Sequence, residues 1–381
     1  MRKFLLTNAL VLASLAVTGF CEEHEINSGL SHSEATLIST STKVKSENCV
    51  SRGAAAAPVS NNQCGPDWPS FYLGADFLYL FASEGGLDHA RIRHIDVPSP
   101  VPNLTTATQK KWNQNFKLAP GFRVRLGRYL KYDRWDLFLD YAWYYTHPKT
   151  SMSVGTNEFI VTYYPITNTA ALSFKSGESD WRLRLHDGDI NLGRRGRFGK
   201  ALKFHVFSGV KVSWIGQNLG AGYRNPQQTA STALKTLASS LQAKSRFLGV
   251  GPKLGFSSKW NFSGCLRGCS MDAGMHGALL CGKFHARTEQ SAEQYSQSIP
   301  RLLVFSSLKN DFFYCLRPVC YYRMGFSWER PVRDRVLFSL RLGWEAQYWW
   351  QQMAFFTPRE NNVTDKDLYL MGCNLGISLG F

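Results

Sequence analysis

The residues of this 381-residue chain best equipped for chemistry are its charged ones, and they recur at a regular spacing. Arg123, Arg125, Arg182, Arg184, Lys203, Lys211, Lys253 and Arg341 each alternate with apolar neighbours, as do Asp76, Asp136, Asp140 and Glu345. Fixed charges so placed either attract ions or neutralise one another. Catalysis finds less support, because no GxSxG, HExxH, phosphate-binding loop or GxGxxG stands in a suitable setting. The nine His are scattered, among them His89, His94, His147, His186 and His205. A membrane-embedded lipase would need a Ser and a His on the lipid-facing side, and His205 falls on the polar face. No cofactor and no metal set is expected.

A period of two is the signature of a β-strand, whose successive side chains point to opposite faces. Phe71, Leu73, Ala75, Phe77, Tyr79 and Phe81 share one face, and Trp135, Leu137, Leu139, Tyr141, Trp143 and Tyr145 share another, opposite Asp136 and Asp140. Phe122, Val124 and Leu126 alternate with Arg123 and Arg125; Trp181, Leu183 and Leu185 alternate with Arg182, Arg184 and His186. The run Leu202, Phe204, Val206, Ser208, Val210, Val212 and Trp214, set against Lys203, His205 and Lys211, outlasts the usual soluble strand. Leu248, Val250, Leu254 and Phe256 oppose Lys253, while Phe338, Leu340, Leu342 and Trp344 oppose Arg341 and Glu345. A soluble β-sandwich alternates too. Long strands whose apolar faces end in Tyr145, Trp181, Trp214, Trp344 or Tyr348 instead suit a bilayer with an aromatic girdle at each interface.

The C-terminal segment is the sharpest local feature. Tyr369, Met371, Cys373, Leu375, Ile377, Leu379 and Phe381 form an unbroken apolar face opposite Gly372, Asn374, Gly376, Ser378 and Gly380. Asn374, Gly376, Leu379 and Phe381 fit the polar-x-Gly-x-x-apolar-x-aromatic ending typical of outer-membrane barrels. Lipid tolerates no open sheet edge, so the last strand must be recognised and paired with the first; barrel-assembly machinery is therefore an expected partner. Cys373 falls on the lipid side.

These elements make an all-β protein, a single antiparallel transmembrane β-barrel of roughly 12 to 16 strands with short periplasmic turns and long external loops. A charge facing lipid at the midplane costs roughly 2–4 kcal/mol, which turns the eight cations inward. A lumen lined by them prefers anions, unless Asp136, Asp140 or Glu345 neutralise them or they bind lipopolysaccharide at the rim. Loops are expected at 96–116, 217–243 and 289–301, one of which could fold inward and narrow the pore. Ala233–Ala243 reads as a short helix on or inside the barrel.

Composition agrees with this. Aromatics make up 14%, glycines number 32, and mean hydropathy is −0.24. Arg2 and Lys3 precede the apolar run Phe4–Val17 and the small residues Thr18 and Gly19, the layout of a secretory leader over 1–21. The run is shorter than the ~20 residues of a spanning helix. The formal charge of +16 falls to +14 without Arg2 and Lys3. Export and the lack of a compact basic run leave nucleic acid out as a partner. Residues 22–67 read as a flexible polar extension and 68–381 as the barrel. Among nine Cys, Cys265, Cys269 and Cys281 cluster, as do Cys315 and Cys320. Their spacing is a poor match to zinc, which leaves disulfides or free thiols.

The same stretches resemble the Legionella-type major outer membrane proteins, a family that includes the major-porin-like proteins of chlamydia-related bacteria. The resemblance runs through FYLGADFLYLFASEGGLDHA at 71–90, WDLFLDYAWYY within 121–145, residues 181–217, GVGPKLG at the start of 249–284, residues 316–328, LGWEAQYWWQQ at 342–352 and the closing DLYLMGCNLGISLGF. It implies an integral outer-membrane porin for general diffusion of small hydrophilic solutes. The cysteines resemble, more loosely, those of disulfide-linked envelopes. Expected partners are outer-membrane lipids and lipopolysaccharide, a second copy of the chain, or disulfide-linked envelope proteins. The rival reading is a structural or adhesive barrel with a plugged lumen.

Overall fold

The computed structural model describes residues 70–381 except 86, 88–89, 96–106, 113, 131–133, 157, 163–172, 200, 227–233, 263–267, 297–301, 334–335 and 358–361. The leader and the 22–67 extension lie outside the described residues.

Among the described residues, fourteen strands form one antiparallel sheet: β1 Phe71–Glu84, β2 Ala90–Ile95, β3 Ala107–Lys111, β4 Leu118–Tyr129, β5 Trp135–Thr146, β6 Lys149–Ser153, β7 Glu158–Thr162, β8 Ser173–Phe198, β9 Leu202–Pro226, β10 Leu234–Asn261, β11 Cys269–Ser296, β12 Leu302–Arg333, β13 Val336–Thr357 and β14 Asn362–Gly380. Ten of them, β1, β4, β5 and β8 to β14, close a ring, in which β14 pairs with β1 and β8 with β9. The remaining four build outward from β8. Phe381 and Phe71 exchange backbone hydrogen bonds of 2.9 Å each way, so the ring is sealed at the last residue.

The sequence dictates this closure through its two faces. Leu73, Phe77, Leu126, Leu139, Ile190, Val210, Leu254, Phe326, Leu342 and Ile377, drawn from every part of the ring, all point outward and are well exposed. A continuous apolar belt of this extent is stable only against lipid. The described residues contain no helix long and apolar enough to cross a membrane. A strand traverses the apolar band in about 10 residues. β8 to β12 have 26, 25, 28, 28 and 32 residues and run on well beyond it. They extend away from the termini and the short β4–β5, β8–β9, β10–β11 and β12–β13 turns, toward the side that is extracellular in such barrels.

Three sequence expectations change here. Most of the expected 217–243 loop is strand, because β9 continues to Pro226 and β10 begins at Leu234, while 227–233 lie outside the described residues. No helix forms at 234–243: Leu241, Ala243 and Ser245 turn inward while Gln242, Lys244 and Arg246 turn out, and pairing with β9 outweighs the helical preference of Ala and Leu. Likewise β11 occupies the expected 289–301 loop as far as Ser296.

Inside, the outer half of the barrel holds an apolar cluster set among buried polar groups that include Glu84, Gln217, Ser245 and Arg317. Leu78 and Leu80 of β1, Trp181 and Leu183 of β8, Phe247 of β10 and Phe284 of β11 pack into one buried cluster. A second cluster lies further out, around Trp112, Ile160, Phe174 and Tyr223.

Candidate functional site

The inner half of the barrel is a lattice of charge. Arg123 of β4 is enclosed and donates to Glu345 of β13 at 2.9 and 2.8 Å through both terminal nitrogens. It also donates to the Tyr321 hydroxyl of β12 at 3.0 Å, and that hydroxyl donates on to Glu345 at 3.0 Å. Asn374 of β14 completes the carboxylate's shell at 2.9 Å. Asp76 of β1 accepts from Arg341 at 2.9 Å and lies 3.6 Å from Arg123. Arg125 holds Asp140 at 2.6 Å.

A second set faces it from β8, β9 and β10. Lys211 reaches Asp187 and lies 3.5 Å from Asp189, whose other oxygen accepts from Lys253 at 2.5 Å. Ser213 donates to Asp187 at 2.6 Å. Closer to the periplasmic end, Asp136 bonds His205 at 2.8 Å and Arg195 at 3.0 Å, with the Tyr72 hydroxyl at 3.3 Å. Each group sits on the inward parity of its strand, so the same alternation that builds the belt aims them at one another.

These contacts span the lumen. Arg123 on β4 meets Tyr321 on β12, and Lys211 on β9 lies over the Trp349 ring of β13 at 5.7 Å. A cavity of ≈ 100 Å³ remains among Tyr72, Arg125, Asp140, Lys253, His276 and Arg323, large enough for several waters. Beyond it the apolar layer closes the section, with Phe247 and Phe284 rings 4.7 Å apart. Of the expected 96–116 loop, Ala107–Lys111 is strand β3, 96–106 lie outside the described residues, and the stretch just before β4 packs inward. Phe116 stacks edge-on against Trp181 at 5.4 Å, and Gln114 donates to the Pro148 carbonyl at 2.9 Å.

Of the expected lumen residues, Arg123, Arg125, Asp136, Asp140, Lys211, Lys253 and Arg341 meet in this lattice. Lys203 stands at its periplasmic end, opposite Lys259. Arg182 and Arg184 do not belong. They are exposed on the outer surface, while Trp181, Leu183 and Leu185 are buried inside. The reversal has a physical cause: this part of β8 lies beyond the membrane, where water covers the outside and the apolar face must pack within. The same inversion hid Asp187, Asp189 and Arg195, which follow the inward parity of Trp181. Arg323 was legible, since Met324, Phe326 and Trp328 alternate with it on the exposed face.

The terminal motif acquires structural reasons. Asn374 caps Glu345; Leu379 joins the belt; Phe381 seals the ring. A Cβ at Gly376 would collide with the Asp76 carboxylate that reaches Arg341. Cys269, Cys281, Cys320 and Cys373 are free thiols, Cys315 lies 3.9 Å from the Gly282 carbonyl, and Cys265 lies outside the described residues. Cys315 pairs with Gly282 on the inner face while exposed Cys281 points out, which separates these two neighbours.

The family profile described as "Legionella pneumophila major outer membrane protein precursor" matches residues 66–381. The chain belongs to this family. It is thus an outer-membrane β-barrel, as the belt and the sealed ring require. Comparison with curated proteins gives no match. Among solved structures, the outer membrane protease OmpT of Escherichia coli is similar at 10% identity and a TM-score of 0.37, over 82% of this chain and 96% of that one. A FadL homologue of Pseudomonas aeruginosa is similar at 8% identity and a TM-score of 0.25, over 82% and 89%. The toluene transporter TodX of Pseudomonas putida gives 10% and 0.19, over 82% and 89%. These are likenesses of strand architecture and carry no argument about activity.

Proposed function

We propose that this member of the family is a narrow outer-membrane porin whose lumen stands closed in the present conformation. The observation that carries the reading is the charged lattice around a small polar cavity, enclosed by the lipid-facing belt. Buried ion pairs contribute little to stability, and well-packed apolar residues of similar volume often do as well or better. A barrel that only needed filling has no use for so many charges, whereas a path for water and small hydrophilic solutes does. A ring of ten strands is narrower than the 16–18-stranded porins that leave an open channel, so only small solutes fit.

Anion preference receives little support in this reading. Arg123, Arg125, Arg341, Lys211 and Lys253 are each held by Glu345, Asp76, Asp140, Asp187 or Asp189, which cancels most of their field. We infer weak selectivity. The second reading, a structural or adhesive barrel with a plugged lumen, is favoured by the apolar layer at Trp181, Phe247 and Phe284. We also infer no catalysis, which assays against peptide and lipid substrates can challenge. Liposome swelling with the refolded chain separates the first two readings. Entry of small sugars supports the porin, while folded but impermeable liposomes support the plug.

A further inference from the structure

Three strands, β8, β10 and β11, carry a basic field on their outer surface just past the apolar belt, with β9 between β8 and β10. Arg182 and Arg184 of β8, Lys244 and Arg246 of β10, and His285 and Arg287 of β11 all turn outward. Register makes the field continuous. Lys244 stands directly opposite Arg287, and Arg246 opposite His285. On their other side, Lys244 and Arg246 face Asn218 and Gly216 of β9, which in turn face Arg182 and Arg184.

Two acids border the field only at its far edge, where Asp180 pairs with Arg182 and Glu289 with Arg287. Between them and the belt, the outward positions of these strands hold no carboxylate. Lys244 and Arg287 are like charges directly opposite on paired strands, which destabilises a sheet, so the arrangement gains from a counter-charge supplied from outside. Position identifies its source. Leu248, the next outward residue after Arg246, is 56% exposed and belongs to the belt. The field therefore begins where acyl chains end, on the side of the long strands. The other arc of the barrel shows Tyr348, Trp350 and Tyr369 past its belt, aromatic rather than basic.

We propose that this field binds the phosphate groups of an outer-leaflet glycolipid of the lipid A type. Arg presents a planar fork matched to phosphate, and Lys adds a point charge. The site lies outside the lumen and is independent of whether the lumen conducts.

The test titrates refolded full-length protein in neutral detergent with bisphosphorylated lipid A, dephosphorylated lipid A and inorganic phosphate, reading tryptophan fluorescence and the temperature of the heat-modifiable gel shift. Only the phosphorylated lipid is expected to bind and raise that temperature, with affinity falling as salt rises. The triple variant K244Q/R246Q/R287Q is expected to lose roughly a hundredfold in affinity. Equal binding of the dephosphorylated lipid, or an unchanged variant affinity, overturns the proposal. Inorganic phosphate or a soluble polyanion binding as well as the lipid overturns the assignment to lipid. Should the triple variant fail to fold, the wild-type comparison of the two lipids still decides.

Discussion

Glu345 shows what a single lumenal residue is asked to do. Its carboxylate is fully enclosed and accepts from Arg123, Tyr321 and Asn374. Removing one partner of such a pair leaves an uncompensated buried charge, at a cost of roughly 3–5 kcal/mol. Arg123→Met is accordingly expected to lower the urea midpoint of the refolded protein sharply, and Arg123→Met combined with Glu345→Leu to recover most of the loss. A double variant as unstable as the single one would contradict this account. A related test concerns selectivity. Converting Lys211 and Lys253 to Gln frees Asp187 and Asp189. In planar bilayers the reversal potential of the variant is expected to shift toward cations, and an unmoved potential would show that permeating ions do not sense this level of the lumen.

At the scale of elements, the apolar layer is the step between closed and conducting. Phe247→Ala with Phe284→Ala removes two rings that meet at 4.7 Å, and single-channel conductance is expected to rise. Conductance equal to wild type would shift the obstruction to the inward-folded stretch around Phe116. In the terminal strand, Gly376→Val drives a side chain into Asp76 and is expected to leave little heat-modifiable, folded protein. The strand itself was legible from sequence, because period two ran unbroken from Tyr369 to Phe381. β8 was read in the wrong phase although its alternation was as clear. Periodicity reveals that two faces differ but not which one meets lipid. That assignment flips where a strand leaves the bilayer, and Trp181–Leu185 lie past that point. Carrying that phase along β8 turns Asp187, Asp189 and Arg195 outward, whereas they follow the inward parity of Trp181; Arg123, Arg125 and Arg341 face inward as their alternation implies.

For the molecule as a whole, the belt defines the insertion energy. Leu342→Arg sets a charge at a lipid-facing position that is 62% exposed. It is expected to cost roughly 2–4 kcal/mol of folding free energy in bilayers if that position lies near the midplane, measured by urea titration in vesicles. A penalty near zero would mean that the belt is not where lipid sits. Strand number was readable only as a range, since single strands do not reveal whether they join the ring or lean against it. β2, β3, β6 and β7 are only five or six residues long and carry little alternation, and pairing alone shows that they stand outside the closure.

The lumenal lattice joins residues very far apart in the chain. Arg341 and Asp76 are separated by 265 positions, and Arg123 and Glu345 by 222. None of these contacts exists in a half-made sheet, so the hairpins of β8 to β12 can form locally while their inward charges still await partners. Contact order this high slows folding, because loop closure precedes any reward. Refolding into vesicles should therefore be slow and nearly all-or-none, with the β1–β14 seam closing in the same kinetic phase in which the interior becomes protected from solvent exchange.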